Sequence, residues 1–323
     1  MKALALFSGG LDSMLAISTI ARQGIDVIAI HIDTGFGGGN YELLNRRAIM
    51  AGATFKVVDI SNKYLQDVLL NPKYGYGKAI NPCIDCHGYM FKTVLAMLES
   101  EKASFIISGE VLGQRPMSQR AAALKSVEKL SEDKDNLILR PLSAKLLEPT
   151  TPELNGWVNR ELLLDISGRG RQRQIELAKT YGYSDYESPA GGCILTLEAF
   201  KNKIQDYLKY DNLDMANAKL LRLGRHLRLP DGAKMIISRN EQEGLAILES
   251  LKDERIKMSE IKINKLGAIS LLDNNASKSD LELACSLALA YAKEPSDGEC
   301  EFMNSIINAK ATTRSEAQKY FVV

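Results

Sequence analysis

The chain has 323 residues, of which 45% are hydrophobic and 25% charged, an ordinary balance for a globular protein long enough to form two domains. Its apolar runs are shorter than the roughly 18 to 20 residues that cross a bilayer, and its N-terminal run is too short for a secretion signal, so we expect a cytoplasmic protein. A formal net charge of +1 excludes a global field that attracts nucleic acid, so local basic patches must meet any such partner.

Apolar runs alternate with helical periodicity through the first part of the chain, as is typical of a parallel sheet with helices on both faces. We therefore predict an α/β fold with a doubly wound, mainly parallel sheet. Ligands of such sheets bind beyond the carboxyl ends of the strands, so the segments after the strands should share one crevice. The predicted strands are residues 3–7, 27–32, 55–60 and 105–108, and the predicted helices are residues 14–23, 41–51 and 91–99.

A glycine turn directly follows the first predicted strand and leads into the first predicted helix. It reads Ser8-Gly9-Gly10-Leu11-Asp12-Ser13. Glycines let the backbone approach an oxyanion closely, and the N–H groups and dipole of a helix N-terminus attract one, so the turn predicts a phosphate site. The lysine-containing pattern of the common P-loop is absent. The alternative is a plain turn in which Asp12 and Ser13 only cap the helix.

The same turn resembles the pyrophosphate loop of the PP-loop ATP pyrophosphatases, whose fold is of the adenine nucleotide α-hydrolase type. Members of that family cleave ATP between the α- and β-phosphates and leave an adenylated acceptor. The resemblance implies ATP and Mg²⁺ as ligands and gives Asp12 a catalytic role. The binding residues that it implies are Ser8, Gly9, Gly10, Asp12 and Ser13.

Two cysteines follow an irregular segment that we predict for residues 71–86. They stand in the string Asn81-Pro82-Cys83-Ile84-Asp85-Cys86-His87. A zinc ribbon needs a second ligand pair at similar spacing, a c-type haem needs an exported protein, and a thioredoxin-like pair normally follows a first strand. The string fits these three patterns poorly, which makes a third cysteine, Cys193, informative.

Cys86 and Cys193 resemble the two sulfur-transfer cysteines of the PP-loop tRNA 2-thiouridylases and 4-thiouridine synthetases. The first of those follows an Asn-Pro loop and the second stands near glycines, as Cys193 does after Gly191 and Gly192. Cys83 is an extra cysteine by comparison with the two-cysteine persulfide enzymes. Three thiolates can hold three irons of a [4Fe–4S] cluster, so Cys83, Cys86 and Cys193 are also predicted cluster ligands. A persulfide route and three unrelated buried cysteines are the alternatives.

The segment after the fourth predicted strand, residues 108–119, resembles the Gly-Glu-x-Leu-Gly-Gln segment of the 4-thiouridine synthetases. In that family the segment lies near the nucleotide and the target base, which implies Gly109 and Gln114 as ATP-site residues. The same likeness implies that the backbone of Ile32, at the end of the second strand, contacts adenine. A plain strand-to-loop transition is the alternative.

A short basic cluster precedes Cys193 in a second irregular segment, which we predict for residues 168–192. It comprises Arg169, Arg171 and Arg173. We predict that these arginines contact tRNA phosphates, and a solvated surface face is the alternative.

The pattern changes after about residue 196 to a helical opening, short strands at residues 235–238 and 261–263, and an Ala/Leu-rich helix at residues 279–292. We predict a PP-loop ATP-binding and sulfur-transfer domain over residues 1–196 and a smaller α+β domain over residues 197–323. The string at residues 223–241 resembles the RNA-binding module of NFACT-type ribosome-quality-control proteins. RNA contact is therefore predicted, with a charged edge strand as the alternative. The predicted RNA-binding residues are Arg222, Arg225, Arg228 and Lys234.

Taken together, these patterns predict an ATP-dependent tRNA sulfurtransferase that adenylates a uridine carbonyl oxygen and replaces it with sulfur. Such an enzyme needs tRNA and a sulfur donor, either a desulfurase or sulfide, as partners. The sequence leaves open whether the chain is a monomer or a homodimer. Two rivals stay open as well: a PP-loop sulfurtransferase for a small molecule or cofactor, and a non-catalytic RNA-binding nucleotide sensor.

Overall fold

A computed structural model describes residues 1–37, 39–186 and 193–323 of the chain. The chain divides into two compact units, Met1–Thr196 and Leu197–Val323. None of the helices in these described ranges is long and apolar enough to span a membrane.

The first unit is built on a five-stranded parallel sheet. Its strands are β1 (Lys2–Leu6), β2 (Asp26–Asp33), β3 (Thr54–Asp59), β4 (Phe105–Ser108) and β5 (Ile138–Leu139). Their order is β3-β2-β1-β4-β5, which confirms the predicted doubly wound sheet. The central strand β1 is buried on both faces, since Ala3, Leu4 and Ala5 are all at most 1% exposed. The order reverses between β1 and β4, where such sheets open a ligand crevice.

Seven helices accompany the strands in the described part of this unit. They are α1 (Leu11–Ala21), α2 (Tyr41–Ala51), α3 (Ser61–Tyr64), α4 (Cys83–Leu95), α5 (Ala121–Ser131), α6 (Thr151–Leu154) and α7 (Gln172–Thr180). Short turns add a π-helical stretch at Leu65–Leu69 and 3₁₀ stretches at Ala144–Leu146, Arg160–Leu162 and Ile194–Thr196. Helices α1, α2 and α7 contribute to one core with Ala3 and Ala5, while α4 packs against α5.

Two sequence-based expectations about these helices are wrong. Helix α4 begins at Cys83, not at residue 91, so both cysteines lie in its first turn and the irregular segment ends at Pro82. Gly88 hides the helical periodicity, and it is needed because a Cβ there would lie 2.4 Å from Leu130 Cβ on α5. The supposedly irregular segment at 168–192 contains the regular helix α7, whose Ala178 is fully buried.

The second unit contains a six-stranded antiparallel sheet with helices around it, as the predicted α+β class requires. Its strands are β6 (Arg225–Arg228), β7 (Lys234–Ile237), β8 (Met258–Ile263), β9 (Ser270–Asp273), β10 (Gly298–Phe302) and β11 (Ser305–Ala309), in the order β11-β10-β8-β9-β7-β6. Its helices are α8 (Glu198–Leu208), α9 (Met215–Leu220), α10 (Glu241–Ser250), α11 (Lys278–Ala290) and α12 (Arg314–Gln318).

Alternating residues of β7 supply two separate cores of this second unit. Met235 and Ile237 join the core that α11 completes with Leu287, whereas Ile236 joins Leu220 and Ile247 in the core beside α9 and α10. This period-two alternation is what a sheet covered on both faces requires. Strand β7 is therefore an interior strand, and its residues are buried.

Candidate active site

The turn after β1 is shaped as an open anion cradle. Gly9 has a φ of +79°, which favours glycine, and a Cβ on it would lie 2.1 Å from Leu44 Cδ2. Gly10 occupies the N-cap position of α1, and no described side chain caps the helix. The Ser13 hydroxyl instead donates to the Gly10 carbonyl at 2.8 Å, and the Gly10 N–H points to Ser8 Oγ at 3.3 Å. The first-turn N–H groups of α1 are thus available for a phosphate.

Asp12 lies in the first turn of α1 and connects three segments of the first unit. Its Oδ2 accepts a hydrogen bond from Gln114 Nε2 at 2.6 Å, and Gln114 Oε1 accepts one from Gln174 of α7 at 2.9 Å. Its Oδ1 has no hydrogen-bond partner in the described ranges and lies 3.9 Å from Arg171 Nη2. The structure therefore brings the predicted residues Asp12 and Gln114 into direct contact and adds Arg171 to them.

Gly109 lies against the turn at residues 8–13, on the other side of the crevice beside that turn, which we call the phosphate crevice. It follows β4, which pairs with β1 so that Ser108 stands opposite Leu6. A Cβ on Gly109 would lie 2.5 Å from the Ser13 nitrogen and 2.7 Å from the Asp12 carbonyl oxygen. Because backbone atoms cannot yield as a flexible side chain does, only glycine permits this approach. Ile32 is buried at the end of the neighbouring strand β2, and its adenine contact stays a prediction.

The three predicted sulfur-site cysteines converge near Tyr64. Cys83 accepts a hydrogen bond from Asn81 Nδ2 at 3.0 Å, and the Cys193 thiol points to the Phe36 carbonyl at 3.9 Å. Burial raises the pKa of Cys86 and the hydrogen bond from Tyr64 lowers it; together with the nearby Cys193 and Cys83, which raise it, the result is a pKa of about 12. The Cys86 thiol is therefore neutral at pH 7 when no metal is bound. The glycines before Cys193, residues 191 and 192, lie outside the described residues.

The floor of the cysteine site is aromatic and buried. Tyr64 is 1% exposed and is hydrogen-bonded to Cys86, and its ring centre lies 6.1 Å from that of Phe36 with the two rings tilted by 50°. Burial, and then the neighbouring Cys86, raise the pKa of the Tyr64 hydroxyl, which therefore stays protonated as a donor. Hydrophobic periodicity does not reveal Tyr64, because the residue lies in a helix of a single turn.

The loop before α4 is held in place by the helix itself. The Asp85 carboxylate accepts hydrogen bonds from the Lys73 and Tyr74 backbone N–H groups at 2.8 and 3.0 Å. The Ile80 N–H donates to the Leu195 carbonyl at 3.2 Å, which ties the loop to the segment just after Cys193. These bonds fix Cys193 relative to the two cysteines of α4.

A buried charge network, missed by the sequence analysis, joins the cysteine helix to the strand ends. Glu110 accepts from His87 Nδ1 at 2.7 Å and from Arg140 Nε at 2.9 Å, and Arg140 also donates to Glu128 at 2.7 Å. Burial alone would raise the pKa of Glu110, but Arg140 and His87 outweigh it and lower the pKa to about 2. The sequence signal for the contact between His87 and Glu110 is weak: each residue directly follows a predicted site residue, Cys86 and Gly109 respectively.

The positions of the three cysteines show which kinds of metal centre they could bind. In the described ranges, no three His, Cys, Asp or Glu side chains are close enough to hold a single metal ion. The thiolate ligands of a [4Fe–4S] cluster bind different irons and stand further apart than the ligands of one ion. Cys83 and Cys193 both raise the pKa of Cys86, so the three thiols lie near enough together to suit three irons of such a cluster, which stays a prediction.

The three arginines of the basic cluster have different surroundings. Arg169 is exposed, and Arg173 is exposed and ion-paired with Asp165 at 2.7 Å. Arg171 is only 17% exposed at its side chain and faces Asp12 instead of the surface. Its Nε has no hydrogen-bond partner among the residues that the structure describes. Arg171 thus belongs to the phosphate crevice by position, while the other two lie on the surface.

The predicted RNA-binding residues of the second unit are less exposed than a basic surface stripe would be. Arg225 donates to the Ser238 carbonyl at 2.9 Å, and Arg228 binds Asp206 at 2.6 Å. Arg222 is half-buried, and Lys234 is 4% exposed. The edge strand β6 is also covered, because Arg228 N–H donates to the Tyr320 carbonyl at 2.9 Å.

Comparison with known proteins gives separate matches for the two units. Residues 2–76 match the family model described as the arginosuccinate synthase N-terminal HUP domain, and residues 224–321 match the NFACT protein RNA binding domain. A tRNA-specific 2-thiouridylase of Dehalococcoides mccartyi is 30% identical over 118 residues, which are 33% of this chain and 33% of that protein. One of Listeria innocua is 25% identical over 253 residues, which are 74% of this chain and 63% of that protein.

Among solved structures, a 4-thiouridine synthetase crystallised with RNA and ATP is 21% identical, with a TM-score of 0.40 over 56% of this chain and 40% of that one. The match spans about a third of the length of the Dehalococcoides relative, at 33%. The resemblance to tRNA-thiolating PP-loop proteins and to the NFACT RNA-binding module is confirmed by the sequence matches.

Proposed function

We propose that this chain is an ATP-dependent tRNA sulfurtransferase, forming AMP and pyrophosphate as it replaces a uridine carbonyl oxygen with sulfur. Its similarity to tRNA-specific 2-thiouridylases supports the substrate class and the sulfur chemistry. The match of residues 224–321 to an RNA-binding domain supports RNA as the partner.

One structural observation carries the proposal: consecutive residues join the phosphate crevice to the cysteine site. Gly109 touches the backbone of the phosphate turn, and the next residue, Glu110, binds His87, which directly follows Cys86. Phe36, three residues after the end of β2, meets Cys193 on the other side. Activation by ATP and delivery of sulfur to one substrate atom require this proximity.

In the first step the uridine carbonyl oxygen attacks the α-phosphorus of ATP, the bond to the bridging oxygen breaks, and pyrophosphate leaves. The turn at residues 8–13 holds phosphate oxygens through backbone N–H groups, and Arg171 faces the same charge. The Asp12 carboxylate offers the hard oxygen ligand that Mg²⁺ prefers, and its Oδ1 is the atom without a hydrogen-bond partner among the described residues. Positioning and electrostatics suffice for such a step.

In the second step hydrosulfide sulfur attacks the activated ring carbon, the carbon–oxygen bond breaks, and AMP departs with the oxygen. Cys83, Cys86 and Cys193 would hold three irons of a [4Fe–4S] cluster, which would supply a binding site for the sulfur. Tyr64 donates to the Cys86 sulfur and excludes water beneath it, and Asn81 orients Cys83. A desulfurase or free sulfide supplies the sulfur.

The main experiment measures pyrophosphate release and thionucleosides with the full chain, ATP, sulfide and tRNA. Wild type should release pyrophosphate only when tRNA is present, and mass spectrometry should find a thiouridine. Asp12→Ala should lower release about 100-fold, because it removes a charged group from the phosphate crevice. The matched control is Asp26→Ala, since Asp26 is exposed and starts β2 at the opposite edge of the sheet.

Retained tRNA-dependent release in Asp12→Ala would remove Asp12 from the mechanism. Unchanged thiouridine in tRNA from a strain that lacks the gene would favour a small-molecule substrate instead. Wild-type protein that binds ATP without releasing pyrophosphate would favour the nucleotide sensor.

The cluster has its own test in anaerobically purified protein. We expect a brown protein with a broad charge-transfer band and equal amounts of iron and sulfide, and the band should disappear in Cys83→Ala. Cys300→Ala, which changes a buried cysteine of the second unit, should keep the band. A colourless protein with full thiolation activity would support the two-cysteine persulfide route.

A further inference from the structure

The second unit encloses a cavity that no part of the proposed reaction uses. Its volume is about 380 Å³, enough for a small planar ligand. Strands β6 and β7 form its base, and the end of α8 contributes to its wall. The lining includes Tyr207, Tyr210, His226, Arg228 and Lys234.

Two buried polar atoms in this lining lack hydrogen-bond partners among the described residues. Lys234 is 4% exposed and its Nζ is one of them. His226 is 1% exposed, its Nε2 is bonded to the Leu223 carbonyl at 2.7 Å, and its Nδ1 is the other. Because a carbonyl only accepts, Nε2 carries the proton and Nδ1 is left as an acceptor. The cavity therefore presents a buried donor and a buried acceptor to whatever enters it.

The pairing of β6 with β7 places His226, Arg228 and Lys234 on one face of the sheet. Arg228 of β6 stands opposite Lys234 of β7, and His226 stands opposite Ile236. Residues two apart on a strand share a face, so His226, Arg228 and Lys234 point to the same side. A ligand that fills the cavity can meet both orphan atoms from one direction.

Two tyrosines give the cavity aromatic surface. Lys234 Nζ lies 4.8 Å from the centre of the Tyr207 ring, and the Arg228 guanidinium lies 3.9 Å from that of Tyr210. Tyr210 is 59% exposed, so part of its ring is open to a ligand. Arg228 is held by Asp206 at 2.6 Å and by the Gly232 carbonyl at 2.7 Å, which makes this wall rigid.

The charges around the cavity are nearly balanced, which argues against a phosphate as its occupant. The cations of the lining are Arg228, Lys234, Arg255 and Lys257, and its anions are Asp211, Asp231 and Asp273. Arg228 is already paired with Asp206, so little net positive charge is left. A neutral planar group with adjacent donors and acceptors satisfies the orphan atoms without adding charge.

We propose that this cavity receives one unpaired nucleobase of a bound RNA, which stacks on the tyrosines and hydrogen-bonds to Lys234 and His226. The inference rests on the proposed function in taking RNA as the partner. It differs from a basic surface stripe, since Lys234 then reads a base edge and not a phosphate. Single-stranded RNA is commonly read in this way, by aromatic stacking combined with hydrogen bonds to base edges.

The test measures binding of a short single-stranded RNA to the full chain across a salt series. Lys234→Met should weaken binding about tenfold at every salt concentration while the slope against log salt stays unchanged, because no phosphate contact is lost. Tyr207→Leu should weaken binding about 5- to 100-fold by removing a stacking surface. Replacing the RNA by one of equal length with abasic sites should abolish the difference between wild type and Lys234→Met.

Lys257→Met is the matched control, because Lys257 is an exposed cation of the same lining. It should lower the salt slope by about one if it contacts a phosphate, or change nothing. Unchanged affinity in a folded Lys234→Met protein, or a lowered slope in it, would overturn the nucleobase pocket. So would equal competition by inorganic phosphate and by uridine.

The two proposals can fail separately. Thiolation of tRNA by wild type, without an effect of Lys234→Met on RNA affinity, would refute the pocket and leave the sulfurtransferase. Base-dependent RNA binding in a protein that never thiolates would do the reverse.

Discussion

Two buried cations, one in each unit, show how differently the molecule treats charge. Arg140 and Lys234 are both 4% exposed. Arg140 donates to the carboxylates of Glu110 and Glu128, whereas Lys234 Nζ has no hydrogen-bond partner in the described part of the chain. A charge that is already paired serves structure, and a donor that is left unpaired is available to a ligand. Arg140 therefore helps to position the cysteine helix through Glu110, and Lys234 is the cation that the proposed nucleobase pocket would use.

The choice of residue type agrees with this difference. A guanidinium stays charged in proteins, so burying Arg140 requires carboxylates beside it. A lysine can lose its proton instead, and burial followed by the neighbouring Arg228 lowers the pKa of Lys234 to about 7. The second unit thus tolerates a buried lysine that has no carboxylate bound to its Nζ.

The largest expected effect is a loss of stability when Arg140, the paired cation, is replaced. Arg140→Met leaves Glu110 buried without its main counter-charge, so the first unit should lose about 3–5 kcal/mol of stability in urea unfolding. The double variant Arg140→Met/Glu110→Leu should recover a large part of that loss, since no orphaned carboxylate is left. A loss below about 1 kcal/mol in the single variant would show that the pair does not hold this region together.

The unpaired cation should produce a pH dependence. Between the folded pKa of about 7 and the unfolded value near 10.5, the unfolded chain binds more protons at Lys234. Stability of the second unit should therefore rise from pH 7 to pH 10, by on the order of 3 kcal/mol. Lys234→Met should be more stable than wild type at pH 7 and should lose this rise. An unchanged rise in Lys234→Met would assign it to another group.

The smallest expected effect is a difference in the KM for ATP between variants of two nearby arginines, Arg171 and Arg173. Arg171→Ala should raise the KM for ATP about tenfold, because Arg171 faces Asp12 and loses a phosphate contact. Arg173→Ala should leave that KM unchanged, since Arg173 is exposed and paired with Asp165. Steady-state kinetics at saturating tRNA measures both. If both variants changed only the KM for tRNA, the two arginines would share a surface role.

The parts of the fold that depend on local pattern were predictable from sequence. The predicted strand at residues 105–108 coincides with β4, and the helix at 41–51 coincides with α2. The start of α4 was not, because a glycine that permits close helix packing interrupts the apolar period. The contact that requires this glycine is with Leu130 of α5, a residue distant from Gly88 in the sequence.

The candidate site shows the same limit. Motif resemblance found the phosphate turn and the three cysteines, because the type and spacing of these residues already indicate their chemistry. It did not find Tyr64 or the ion pairs of Arg140, because these depend on contacts across the fold. Nor could it separate Arg171 from Arg173, since two residues of spacing place side chains on different sides of a helix start.

Gly109 and Glu110 are adjacent in the sequence, and this sets the distance between the phosphate turn that Gly109 contacts and the cysteine helix that Glu110 binds. Consecutive Cα atoms are about 3.8 Å apart, so the wall of the phosphate crevice and the anchor of the cysteine helix are separated by one peptide unit. That unit is rigid, because a trans peptide is planar and the flanking residues are buried or tightly packed. The peptide between Gly109 and Glu110 therefore sets the distance between the turn at residues 8–13 and His87, the residue that follows Cys86.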